Sequence, residues 1–101
     1  MKMVTTSVRL PKDMVEEIEK LSNEEGIDKG TFIRRLIAES LREYKIKRAL
    51  ELYREGKVSL WKAAEIAGIT YREALEELKK RNIPFRYDLE DLKADVSWAT
   101  K

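Results

Sequence analysis

A chain of 101 residues makes one or two small domains, and 43% hydrophobic with 40% charged residues is an ordinary globular balance. Its 21 basic and 19 acidic side chains leave a net charge of +2, too small by itself to indicate a nucleic-acid partner. With no cysteine and no histidine, a disulfide framework, thiol chemistry and the commonest general base and metal ligand are excluded. The expectation is a cytoplasmic binding protein, not an enzyme, with no cofactor and no metal.

No apolar run reaches the length of a membrane span, and no signal peptide precedes the first element, so no membrane partner is expected. Glutamine is absent and Asn23 and Asn82 are the only asparagines, which with heavy use of Lys, Arg and Glu resembles a thermophile's composition.

In chain order, Val4 to Leu10 alternate, with Thr6, Val8 and Leu10 on one side and Thr5, Ser7 and Arg9 on the other. That period predicts a strand, ended by Pro11, which cannot donate to a ladder. A lone strand is unstable, so its partner must come from outside the chain. Met14, Val15, Ile18 and Leu21 then fall at helical spacing, and Gly26 stands where a left-handed residue would end the helix.

Asp28 is a good N-cap for a second helix whose stripe is Phe32, Ile33, Leu36, Ile37, Leu41 and Tyr44. Phe32, Ile33, Leu36 and Ile37 read as core. Nothing breaks the chain before Gly56, but Ile46, Leu50 and Tyr53 fall out of phase with that stripe. The shift places a domain junction near Lys45, in a bent helix or between two helices.

Further on, Ser59 caps "LWKAAEIA", Gly68 ends it, and Thr70 with Glu73 forms a capping box for "YREALEELKKRN". Asn82 and Pro84 stop that helix, "IPFRY" reads as extended, and Asp88 caps a short helix to about Lys93 before a loose "SWATK". Ala63, Ala64, Ile66, Ala67, Leu75 and Leu78 are expected core.

The pair has helix-turn-helix character, which would make Thr70, Tyr71 and Arg72 the base-facing end of a recognition helix. Glu73, Glu76 and Glu77 on the same helix would meet phosphates, and that charge pattern favours a packed pair with a solvated face. The acids Asp88, Glu90, Asp91 and Asp95 match no standard metal cage and read as surface charge.

The alternating run ending in "RLP", the "GIDKGTFIR" turn and their spacing carry a resemblance. Residues 3–44 resemble the ribbon-helix-helix fold of the CopG, Arc and MetJ family. The resemblance implies a mainly α chain with one strand pairing across a homodimer, the two-stranded ribbon reading the major groove of an operator built as an inverted repeat. Thr5, Ser7 and Arg9 would then be base readers, Arg9 the most selective through guanine. Lys29, Gly30 and Thr31 would anchor a phosphate at the second helix's N-terminus. Two departures bear on that anchor: Asp28 stands where the family often has serine, and Gly30 replaces a frequent second serine.

The stretch from "ALELYREGKVSLWKAAEIAG" through "IPFRYDLEDLKADV" is similar to a domain that accompanies VapB-type antitoxins. The likeness implies binding to a PIN-domain ribonuclease toxin. Phe85, Tyr87, Leu89, Leu92 and Trp98 form an aromatic-rich tail suited to an interface, and Arg86 has the charge to enter a cluster of carboxylates.

The expected organisation is therefore a ribbon-helix-helix domain over residues 1–45, a helix-turn-helix-like partner-binding domain over 46–96 and a tail over 97–101. The expected function is a DNA-binding repressor that is also an antitoxin. The alternative is a stand-alone regulator whose C-terminal helix-turn-helix contacts DNA or mediates oligomerisation.

Overall fold

The computed structural model describes residues 2–87, and they form four helices. These are α1 (Lys12–Glu25), α2 (Lys29–Arg54), α3 (Leu60–Ala67) and α4 (Tyr71–Lys80). The chain divides into two compact units between Glu39 and Ser40, inside α2.

The expected ribbon-helix-helix strand is corrected: among the described residues there is no strand, and Val4–Leu10 has no regular structure and is exposed. Alternation is a local property, whereas a strand exists only through a ladder of hydrogen bonds, and among the described residues no second extended segment pairs with this one. The mainly helical character stands. The phase shift near Lys45 is neither a break nor a second helix, because α2 runs unbroken through it. The expected helix from Asp88 and the loose tail lie outside the described residues.

The helix ends follow local chemistry. Behind α3, Gly68 takes φ 71°, and Ile69 N–H reaches back to Ala64 carbonyl at 3.0 Å. This is the left-handed closure that satisfies orphan carbonyls at a helix end. Asn82 repeats it behind α4 at φ 55°, with Ile83 N–H donating to Leu78 carbonyl at 2.9 Å. Asparagine tolerates that region better than other side chains do.

In the unit after Glu39, one core joins α2, α3 and α4. Ile46, Ala49, Leu50 and Tyr53 from α2 meet Leu60, Ala63, Ala64 and Ala67 from α3, and Ala74 and Leu78 from α4. The five small alanines leave room for the helices to approach closely. Ile66 and Leu75 were expected in this core but are exposed, on the sides of α3 and α4 turned away from it.

The unit before Ser40 is different. Ile18 and Phe32 are its buried apolar side chains and belong to no larger cluster. Leu36 and Ile37, also expected as core, are exposed.

Candidate nucleic-acid interface

Three residues, Gly68 to Thr70, separate α3 from α4, the turn length of a helix-turn-helix pair. Thr70 N-caps α4: its hydroxyl accepts Glu73 N–H at 3.0 Å, and Glu73 carboxylate accepts Thr70 N–H at 3.0 Å. The same carboxylate accepts from Arg42 of α2 at 3.1 Å. The bonds from Thr70, and then Arg42, hold its pKa below the ordinary carboxylate value. Glu73 is thus committed to the helix start and to α2.

Glu77 is committed as well. It accepts from Arg81 Nε at 3.1 Å and pairs with Lys80 at 3.5 Å, with only 19% of its side chain exposed. Arg81 also reaches Glu43 of α2, and that bond raises the guanidinium pKa further. Two of the three glutamates that weighed against groove insertion are therefore already paired, Glu73 with Arg42 of α2 and Glu77 with Lys80 and Arg81 at the end of its own helix. The face of α4 that remains outward carries Arg72, Leu75, Glu76, Lys79 and Lys80. Arg72, Leu75, Glu76 and Lys79 lie at i, i+3, i+4 and i+7, a single stripe with more basic than acidic charge. Behind it, Trp61 of α3 packs tilted on Tyr71 with ring centroids 5.7 Å apart.

The residues expected to read DNA from the N-terminus sit elsewhere. Thr5, Ser7 and Arg9 lie together on the exposed segment before α1. At the start of α2, Asp28 occupies the expected phosphate anchor. Its carboxylate accepts Thr31 N–H at 3.0 Å and Thr31 hydroxyl at 2.7 Å, and Arg34 donates to that hydroxyl at 3.0 Å. The Thr31 side-chain bond, then the Thr31 backbone bond, lower the Asp28 pKa. Lys29 leans back to Glu19 of α1 at 3.5 Å, while Gly30 is half-buried beside Asp28.

Among the expected partner-binding residues, Arg86 has a specific place. Its guanidinium donates to the carbonyls of Tyr53 and Val58, each at 2.9 Å, and its Cζ lies 4.4 Å from the centroid of the Tyr53 ring. Tyr53 hydroxyl donates to Arg86 carbonyl at 3.0 Å and accepts Arg86 N–H. The Tyr53 carbonyl, in the last turn of α2, also accepts Gly56 N–H at 2.9 Å, so Arg86 adds a second bond at a helix end that the local backbone already closes. Phe85 and Tyr87 flank this clasp, about half exposed and edge to face at 6.0 Å. Leu89, Leu92 and Trp98 lie outside the described residues.

Sequence reasoning missed the Tyr53–Arg86 clasp and the Arg42–Glu73 and Glu43–Arg81 ties, which span 31 to 38 residues. Their only sequence signal was the polar end of Tyr53 on an otherwise apolar stripe. Among the described residues no acidic cluster is arranged to hold a metal ion, and no helix is long and apolar enough to cross a membrane.

Fold and surface together define a small helical protein with a helix-turn-helix pair packed on a long helix. Residues 3–101 match the uncharacterised protein family UPF0175, and the chain belongs to that family. It is 59% identical over 54 residues to a UPF0175 protein of Archaeoglobus fulgidus, an overlap covering 54% of this chain and 62% of that protein. With a UPF0175 protein of Aeropyrum pernix it shares 42% identity over 57 residues, covering 56% and 64%. The matched regions thus span somewhat under two thirds of these curated relatives. No solved structure matches the chain.

Proposed function

We propose that this protein is a sequence-specific DNA-binding regulator of transcription and that α4 is the helix that enters the major groove. The observation that carries the reading is the sorting of charge on α4, with Glu73 and Glu77 paired to Arg42 and Arg81, Arg72 and Lys79 left outward, and Lys80 exposed beside Glu77. Arg72, near the N-terminal end of α4, reads a base edge through two parallel bonds to guanine. Lys79 and Lys80 meet phosphates further along. Arg9, on the exposed segment before α1, is the second candidate reader.

The test is fluorescence anisotropy of the full chain on DNA from upstream of its own gene, against scrambled DNA. Arg72→Ala is expected to cost about 1–3 kcal/mol on the preferred sequence and to relax the preference at one position. Binding that ignores sequence, or a preference untouched by Arg72→Ala, would overturn the reading.

A second role, as the antitoxin of a toxin–antitoxin pair, is supported by the exposed Phe85–Tyr87 pair, which has the chemistry of an interface anchor. In this role Arg86 holds the aromatic pair in place through Tyr53. Its test is inhibition of a nuclease encoded beside this gene: Phe85→Ala with Tyr87→Ala is expected to abolish inhibition while DNA binding persists. Unchanged inhibition would remove this role.

A further inference from the structure

Of the three glutamates on α4, Glu76 is left over once Glu73 and Glu77 are paired. Its side chain is exposed and makes no ion pair or hydrogen bond among the described residues. Arg72 and Lys79 share its side of α4, at i−4 and i+3, where a salt bridge commonly forms on a helix surface. Neither closes one with Glu76 among the described residues. A face that bound DNA by charge alone would gain nothing from this acid, which repels phosphates. Its use must lie with the bases.

Resting on the reading of α4 as the groove helix, we propose that Glu76 is a specificity-determining residue that accepts a hydrogen bond from the N4 amino group of a cytosine. An ionised carboxylate can only accept. In the major groove guanine offers the acceptors N7 and O6, and thymine the acceptor O4, all of which repel it. Adenine sets its N7 acceptor beside its N6 donor. Cytosine alone presents a donor and no acceptor. Contact with cytosine therefore satisfies Glu76, whereas guanine or thymine there leaves a desolvated charge unpaired, which is discrimination by penalty. The helix also places the base. Residues i and i+4 are about 6 Å apart along a helix axis, and base pairs follow at about 3.4 Å. With Arg72 on a guanine, the cytosine lies about one or two base pairs further along the groove. Arg72 and Lys79, on either side along the helix, offset the repulsion between Glu76 and the phosphates.

The test is anisotropy of the full chain on the upstream DNA it prefers, each base pair varied in turn, for wild type, Arg72→Ala, Glu76→Ala and Glu76→Gln. Wild type is expected to lose about tenfold in affinity when that C·G pair is replaced. Glu76→Ala should remove this discrimination while the position read by Arg72 keeps its own. Glu76→Gln should move the preference to adenine, which an amide meets with two bonds. Base preferences that survive both Glu76 substitutions, with binding tighter on every DNA, would overturn the proposal, because Glu76 would then only repel phosphate. A uniform loss on every DNA would overturn it too. Indifference to Glu76 with the Arg72 dependence intact strikes this proposal alone. Binding that ignores sequence, or a preference untouched by Arg72→Ala, strikes the reading of α4 and this proposal with it.

Discussion

The two units share one helix but reach stability differently. After Glu39, α2 lays Ile46, Ala49, Leu50 and Tyr53 into a closed core with α3 and α4, and the buried polar groups there are partnered. Before Ser40, the same helix meets α1 with little burial and leaves an apolar side uncovered. The difference shows what the phase shift inside α2 does. Ile37, Leu41 and Tyr44 lie at i, i+4 and i+7 and are all exposed, whereas Ile46, Leu50 and Tyr53 lie on a different side and are buried. One continuous helix thus carries one apolar face used within the chain and another that is not.

Substitutions can break this contrast, and the largest effect belongs to the closed core. Leu50→Ala, at a side chain 2% exposed, is expected to cost about 2–5 kcal/mol by transfer and cavity terms. The matched change Ile37→Ala, at a side chain 54% exposed, should leave thermal stability nearly unchanged. Calorimetry of both variants checks the pair, and equal losses would mean that the two units do not differ as described.

Tyr53→Phe sharpens the account of the clasp. It keeps the ring under Arg86 but removes the hydroxyl bound to Arg86 carbonyl and N–H. Leaving those groups short of a partner costs about 1–3 kcal/mol. Urea unfolding should register that loss, with exchange accelerating at residues 83–87.

A smaller effect is expected at the start of α4. Thr70→Ala removes the hydroxyl that accepts Glu73 N–H, and loss of such a cap typically costs about 1 kcal/mol. It should also loosen the α4 N-terminus, and with it Arg72, so DNA affinity should fall alongside the melting temperature.

The smallest effect is with pH. Asp28 and Glu73 both have folded pKa values below the ordinary 3.8 and 4.5, because each carboxylate accepts hydrogen bonds best when ionised. Their contribution is present in full above those ordinary values and is lost as pH falls through the lowered folded ones. Acid titration followed by circular dichroism should show this shallow loss below about pH 4.5, and Asp28→Asn should reduce it.

Much of this architecture was legible because it is local. Ser59, Thr70, Gly26, Gly68 and Asn82 act within a turn of the residues they cap, and their chemistry marks the helix ends directly. The alternation of Val4 to Leu10 was equally visible and misled, because pairing is decided by a segment that must lie alongside. Ile66 and Leu75 were misplaced since the core is lined by alanines, which draw less notice than the larger side chains beside them. For the candidate interface, the glutamates of α4 were counted as one acidic face. Only the distant Arg42 and the network from Glu43 through Arg81 to Glu77 reveal which of them are already paired.

The central claim is that α4 presents its basic side to DNA, and the salt dependence of binding tests it most directly. Anisotropy titrations of wild type, Lys79→Ala and Arg72→Glu across a salt series on the upstream DNA would measure it. The account predicts a linear fall of log affinity with log salt, a slope reduced by about 1 for Lys79→Ala, and specific binding lost for Arg72→Glu. A slope and affinity indifferent to both substitutions would contradict it, and would take the DNA contact away from α4.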